Sequence, residues 1–240
     1  MRTRGPDEGR PAAFVTGGTR GLGLAAARAL LDRGWDVWLA GRDPDRMEGA
    51  LEALGAPPGR AGGTPVDVTD REALERAAED FTSRFGRWDG LVCSAGTFHL
   101  SPLVEESLSA FRGSLEANLV GTFLPLRAAL PSMYAAGSGH ILAVGSVAAK
   151  EPLPENGAYS ASKYGLRGLM EVLAEEAVPR GLTVSMIHPP AVDTPLWDEL
   201  PEEKREEFDR STFLDPGDVG RRIADILTDP PGPFNDVDLF

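Results

Sequence analysis

Residues 12–16, Ala-Ala-Phe-Val-Thr, lead directly into Gly17-Gly18-Thr19-Arg20-Gly21-Leu22-Gly23, and that turn leads into an alanine- and leucine-rich stretch that stops at Gly34. The first piece reads as a short buried strand and residues 22–31 as a helix. A strand joined to a helix through glycines is a strong constraint. It leaves the first helical N–H groups unpartnered, and it lets the main chain approach a pyrophosphate closely. The spacing here is G-x-x-x-G-x-G, different from the G-x-G-x-x-G of many dinucleotide sites. On this stretch alone, a tight turn with glycines chosen for packing is the open alternative.

The rest of the chain repeats the alternation. Strands are predicted at 35–40, 64–68, 90–94, 140–144, 182–188 and, at an edge, 237–240, with helical segments between them. Brief apolar strands separated by amphipathic helices predict an α/β fold, a mostly parallel sheet with helices on both faces and ligands at the strand C-termini. Asp43 is expected to cap a helix at 44–54, and Thr69 with Glu72 to form a capping box for a helix through Phe85. A long helical segment at 107–134 contains Pro125 and Pro131, so a disturbed turn is expected there, with Asn118 just before it, either bonding a freed carbonyl or water or serving as an ordinary helix asparagine. Residues 1–10 are expected to form a flexible arm and 11–240 a single domain. Within it, 195–213 reads as a partly helical insertion whose charged run, 201–207, suits a solvated face or a lid.

With 240 residues and 42% hydrophobic content, the chain can bury a core without staples. Cys93, the single cysteine, excludes an internal disulfide and reads as a small buried apolar residue. No stretch approaches the roughly 20 apolar residues of a membrane span, and the first residues lack the apolar core of a signal peptide. A cytoplasmic protein with no membrane role is expected. The formal net charge of −13 and sequence pI of about 4.7 argue against a nucleic-acid surface, which needs a basic stripe.

Tyr159 and Lys163 are four residues apart in a helical stretch, so they share a face. An ammonium beside a phenol favours the tyrosinate and suits the tyrosine to proton transfer. Spacing alone equally allows a tyrosine over an apolar surface and a solvated lysine. Ser146, delivered by the end of the fifth strand, is not a hydrolase nucleophile, because the surrounding Val144-Gly145-Ser146-Val147-Ala148 lacks the G-x-S-x-G elbow. It reads as a hydrogen-bond donor to a substrate oxygen. His99, His140 and His188 form no metal pair or triad pattern. At the second strand's end stands Arg42 rather than an acid, and Arg20 lies in the glycine turn. Two guanidiniums there favour a ribose 2′-phosphate, hence NADP(H) over NAD(H), although either could be a surface arginine.

The ordered set Thr16-Gly-x-x-x-Gly-x-Gly23, Asp67-Val68, Ala95-Gly96, Asn118-Leu-x-Gly121, Ser146, Tyr159-x-x-x-Lys163 and Pro189-x-x-Val-x-Thr194 resembles the short-chain dehydrogenase/reductase family over nearly the whole chain. The resemblance implies a Rossmann-type fold with a seven-stranded sheet, assembling as a homodimer or homotetramer through the helices carrying Asn118 and Tyr159. It implies hydride transfer between NADP(H) and a small-molecule carbonyl or secondary alcohol, as in a carbonyl or 3-oxoacyl reductase. Tyr159 would exchange the proton, Ser146 steady the substrate oxygen, Lys163 bind the nicotinamide ribose and lower the tyrosine pKa, and Asn118 hold a relay water. Gly17, Thr19, Arg20, Gly21, Leu22 and Gly23 would line the phosphates and ribose, with Arg42 at the 2′-phosphate. Asp67 and Val68 would meet adenine, Ala95 and Gly96 pack on the adenosine side, and Val192 and Thr194 meet the carboxamide. Cys93-Ser94 in place of Asn-Asn and Pro190 in place of glycine depart from the family pattern. A catalytically idle dinucleotide-binding regulator is the alternative from another class. Phe98, Leu153, Leu196 and Trp197 suggest an apolar substrate wall.

Overall fold

The computed structural model describes residues 9–239, so most of the expected N-terminal arm and Phe240 lie outside the described residues. Seven strands form one sheet in the order β3-β2-β1-β4-β5-β6-β7. They are β1 (Ala12–Thr16), β2 (Asp36–Gly41), β3 (Ala61–Pro65), β4 (Gly90–Cys93), β5 (His140–Val144), β6 (Thr183–His188) and β7 (Phe234–Asp238). Every strand pairing is parallel. Parallel strands need crossovers, which the helices supply, and both sheet faces are therefore covered.

On one face lie α1 (Gly21–Asp32), α2 (Pro44–Leu54) and α8 (Pro216–Thr228). They pack Leu30, Met47, Leu54, Ile223 and Leu227 against Val15, Val37 and Leu39 of the sheet. On the other lie α3 (Arg71–Phe85), α4 (Leu108–Leu115), α5 (Gly121–Ala136) and α6 (Gly157–Ala177). There Phe81, Met133, Leu166 and Met170 meet Phe14, Leu91 and Ile141. Phe14 and Val15 show the alternation: adjacent residues of β1 enter opposite cores because successive side chains of a strand point to opposite faces. Phe14, Phe81 and Trp88 pack ring to ring, with centroids 4.5–5.6 Å apart.

Four local expectations are corrected. The edge strand is Phe234–Asp238 rather than 237–240, its start set by pairing of Phe234 with Val184 of β6. The third strand is Ala61–Pro65 rather than 64–68, which leaves Asp67 and Val68 in the loop beyond it. Gly62 and Gly63 make the earlier pairing feasible, since a Cβ on either would stand 2.4 Å from Trp38 or Met47 side-chain atoms. The α3 cap is Asp70, accepting from Ala73 N at 3.0 Å, because the Thr69 hydroxyl donates instead to Asp67 Oδ1. The long helix is disturbed earlier than its prolines suggest. Glu116–Val120 forms a π turn between α4 and α5, and the Gly121 N–H reaches back to the Glu116 carbonyl. In 195–213 only α7 (Glu202–Arg205) makes an α-helical turn; Trp197–Glu199 and Arg210–Thr212 are 3₁₀ turns.

The edge strand β7 is tied to the end of β5 by polar contacts. Buried His188 donates from Nδ1 to the Ser146 carbonyl at 2.9 Å and bonds Asp236 Oδ1 through Nε2 at 2.5 Å. Lys150, just past the 3₁₀ turn Val147–Ala149, pairs with Asp236 at 3.1 Å and Asp238 at 2.6 Å. Burial raises the Asp236 pKa, yet the bonds from Lys150 and His188 outweigh it, and the net direction is down. A carboxylate with a lowered folded pKa stabilises above its unfolded pKa, and that contribution is lost as pH falls through the folded value. Asp236→Asn should therefore cost about 1–3 kcal/mol at neutral pH. Its stability, followed by urea denaturation, should fall less steeply than the parent's below about pH 4; parallel acid limbs would show that the network carries no net stability.

Candidate active site

The strand order reverses between β1 and β4, and a cleft of about 1230 Å³ opens at the C-terminal ends of the strands there. Its floor is the glycine turn. Thr16 Oγ1, at the end of β1, accepts from the N–H groups of Ser94 and Ala95 at 3.2 and 3.3 Å, which draws the loop after β4 against the turn. Gly17 has φ +64° and stands so close to that loop that a Cβ would lie 2.8 Å from Ala95 Cα. Gly23 lies under the cleft, where a Cβ would fall 2.3 Å from the Gly17 carbonyl oxygen. Arg20 takes the N-cap position of α1 without a side-chain cap, and the first turn holds no acidic residue. The helix start is thus a set of unpartnered N–H groups with a favourable dipole facing the cleft.

The opposite end is built by β5, the π turn and α6. Ser146 follows β5, and its Oγ accepts from Ala148 N at 3.2 Å. Tyr159 and Lys163 face the same space from α6. Lys163 is buried and donates from Nζ to the Val144 carbonyl at 2.9 Å, with Nζ 5.5 Å from the Tyr159 ring centroid. Burial pushes the Tyr159 phenol up to about 12, against a hydrogen bond with Ser146 that lowers it. Burial also brings the Lys163 ammonium down to about 8. The expected lowering of the tyrosine by the lysine is therefore not the net effect. Removing the phenol from water disfavours the tyrosinate more than the neighbouring groups favour it.

Asn118 bonds Thr97 and Ser162 rather than a freed helix carbonyl. It is buried in the π turn, and its side chain bonds neither a helix carbonyl nor the α6 pair directly. Its Oδ1 accepts from Thr97 N at 2.8 Å, while Nδ2 donates to Thr97 O at 3.1 Å and to Ser162 Oγ at 2.9 Å. Ser162 in turn donates to the Tyr159 carbonyl at 2.6 Å. The Asn118 carbonyl accepts from Thr122 Oγ1 at 3.1 Å.

At the outer end, Arg42 is 74% exposed and stands 3.9 Å from Asp67. Arg20 is ion-paired with Glu199, which also accepts from Thr97 Oγ1 at 3.3 Å. The two arginines flank one recess together with Arg46, but each faces a carboxylate rather than the other. Asp43 caps α2 through Asp45 N and Arg46 N, as expected. Asp67 Oδ1 is engaged by Thr69, and Val68 packs against the space beside Gly121.

Of the residues singled out from sequence, Gly17, Thr19, Arg20, Gly21 and Leu22 line the cleft from the turn, with Arg42, Asp67 and Val68 from the loops after β2 and β3. Ala95, Gly96, Asn118, Ser146, Tyr159, Lys163, Val192 and Thr194 complete it, and Gly23 alone stands behind. Thr16, Thr97, Ser162, His188 and Glu199 escaped notice as contacts. Ser162 lies inside Tyr159-Ser-Ala-Ser-Lys163, and its i+3 spacing from Tyr159 was the available signal.

A model of the short chain dehydrogenase family matches residues 11–205. D-threitol dehydrogenase of Mycolicibacterium smegmatis is 34% identical over 232 residues, covering 95% of this chain and 89% of that one. Human 17-beta-hydroxysteroid dehydrogenase type 1 is 37% identical over 213 residues, covering 85% of this chain and 64% of that protein. Among solved structures, a point variant of actinorhodin polyketide ketoreductase with NADPH superposes with a TM-score of 0.86 at 27% identity, covering 96% of this chain and 95% of that one. The chain belongs to the short-chain dehydrogenase/reductase family of oxidoreductases.

Proposed function

We propose that the protein is an NADP(H)-dependent oxidoreductase that interconverts a ketone and its secondary alcohol. The observation that carries this reading is the meeting of Ser146, Tyr159 and Lys163 at one end of a cleft whose other end is the bare glycine turn. The fit to a dinucleotide rests on that turn. The α1 start has no capping side chain, and Gly17 and Gly96 keep the floor clear of Cβ atoms. Gly17, Thr19, Arg20, Gly21 and Leu22 would hold the phosphates and ribose, with Gly23 packed behind them, Asp67, Val68, Ala95 and Gly96 the adenosine side, and Val192 and Thr194 the carboxamide. When bound, the nicotinamide supplies or accepts the hydride.

The chain's own residues supply position and a proton. Tyr159, kept neutral by burial, holds a proton at Oη and donates it to the substrate oxygen. Ser146 gives a second hydrogen bond to the oxygen on which charge develops. Lys163 places an ammonium behind the phenol and toward the ribose. Asn118 is a positioning residue, holding the loop at Thr97 and, through Ser162, the backbone of Tyr159.

Arg20 and Arg42 support a 2′-phosphate, and the NADPH-bound structural relative supports the same choice. Homo-oligomerisation is supported by exposed apolar side chains on the two long helices, Phe123 on α5 and Tyr164 and Val172 on α6. Tyr164 and Val172 are eight residues apart and so lie along one helix face.

Tyr159→Phe should reduce kcat at least about 100-fold with dinucleotide affinity retained; turnover near the parent's on a ketone panel would refute the assignment, and binding without turnover by the parent would favour the idle regulator. Because kcat/KM reports groups of the free enzyme, ketone reduction should decline as pH rises through about 8, where Lys163 loses its proton. A flat profile from pH 7 to 10 would count against its charge. Arg42→Ala should raise KM for NADPH about tenfold and leave that for NADH within about twofold; equal losses would remove the 2′-phosphate reading. Val172→Glu should reduce the mass seen by light scattering to that of a smaller species, and an unchanged mass would place the interface elsewhere.

A further inference from the structure

The substrate end of the cleft has a wall whose chemistry is narrower than "carbonyl compound". A run of aromatic rings begins at the reacting phenol itself. Phe98 packs edge-on against Tyr159 with centroids 4.9 Å apart, and Trp197 packs edge-on against Phe98 at 5.1 Å. Phe208 follows at 4.9 Å from Trp197, with Phe213 buttressing the indole at 4.7 Å. These rings come from three places in the chain, the loop after β4, α6 and the 195–213 segment, so sequence proximity does not explain their assembly. Phe98, Trp197 and Phe208 face the cleft, with Leu153 and Leu196 beside them.

Several polar atoms beside the same wall are already used. Trp197 Nε1 donates to the Val192 carbonyl at 3.0 Å. Both ring nitrogens of His99 are engaged, Nε2 with Glu106 at 2.9 Å and Nδ1 with Ser114 at 3.3 Å. Asn156 Nδ2 donates to Pro154 O at 2.9 Å. Of the three cations carried in by the 195–213 segment, Lys204 and Arg210 are likewise held. Lys204 lies 2.7 Å from Glu155, and Arg210 is paired with Asp193 and, at 2.8 Å, with Asp198. A carboxylate or a phosphorylated carrier entering here would meet carboxylates whose cations are taken, and would lose its hydration without a new partner. An open-chain polyol would bury hydroxyls against ring faces. A flat apolar ring would gain area and edge-to-face contact instead.

We infer that the substrate is an uncharged ketone, or its alcohol, borne on an apolar ring system, with its one polar oxygen at Ser146 and Tyr159 and its ring against Phe98, Trp197 and Phe208. This rests on the catalytic reading above and stands against the 3-oxoacyl carrier thioesters that the family resemblance also allowed, which the assay below includes.

The test pairs a binding readout with a turnover panel. Titrating 1-tetralone should quench tryptophan fluorescence saturably. Trp197→Phe should remove most of that quench, because Trp35 and Trp88 are buried in the cores and Trp38 packs against α3. In NADPH oxidation, kcat/KM for 1-tetralone should exceed those for 3-oxobutanoate, an acetoacetyl thioester and erythrulose by at least about tenfold, and Trp197→Ala should raise KM for 1-tetralone about tenfold. Turnover that favours the acid, the thioester or the open-chain ketose would overturn the ring inference and leave the catalytic reading standing. A saturable Trp197-dependent quench without turnover of any ketone would support the pocket chemistry and overturn the catalytic reading. Absence of quench in the parent protein would overturn the inference whether or not the variants fold.

Discussion

One buried amide holds the candidate site together. Asn118 accepts from and donates to the same residue of the loop after β4, and it donates to Ser162 of α6. Three segments that are distant in sequence are thereby placed against each other: the loop after β4 that borders the cleft, the π turn, and the helix that carries Tyr159 and Lys163. A buried amide group is costly unless bonded, so the arrangement that satisfies all three bonds is strongly preferred over looser ones. The π turn is the local consequence. Its extra residue per turn carries Asn118 to a position from which a regular helix would direct the side chain elsewhere.

The parallel sheet supplies the frame in which this amide works. All strands run the same way, so every β-to-α loop emerges at one edge. The reversal of order between β1 and β4 separates two neighbouring loops enough to open a cleft. Close packing at the glycine turn then keeps the cleft floor as bare backbone. The far edge is secured differently, by the His188 and Lys150 contacts to β7, which bear on the carbonyl of Ser146 and on the turn that follows it. The serine hydroxyl is presented from a segment held on both sides.

Much of this was legible in the chain itself. β1, α2 and β5 are where hydrophobic run, cap and glycine stop predict them, because those signals are local. Most cleft residues were legible too, since they sit at strand ends that share one edge, while Tyr159 and Lys163 were legible from their spacing on one helix. The displacement of β3 was not, because glycines without side chains pair there only by virtue of Trp38 and Met47 above them. The Thr69 capping box failed for a related reason: a competing acceptor, Asp67, lies two residues away and takes the hydroxyl.

The electrostatics were the least legible. Spacing says that Tyr159 and Lys163 share a helix face, but their protonation depends on how much water the surrounding walls exclude, which is a property of the packed molecule. Likewise the ion pair of Arg20 with Glu199 is not legible in the glycine turn, because Glu199 comes to it from 179 residues further along the chain. By itself the sequence determined the alternation of strands and helices, the bare glycine turn and the identity of the groups able to move a proton, because those follow from local propensity and side-chain chemistry. Only the tertiary structure decided which of those groups meet, how far burial shifts them, and that rings from three separate segments pack together at Tyr159, because contacts between distant segments and exclusion of water exist only once the chain is folded.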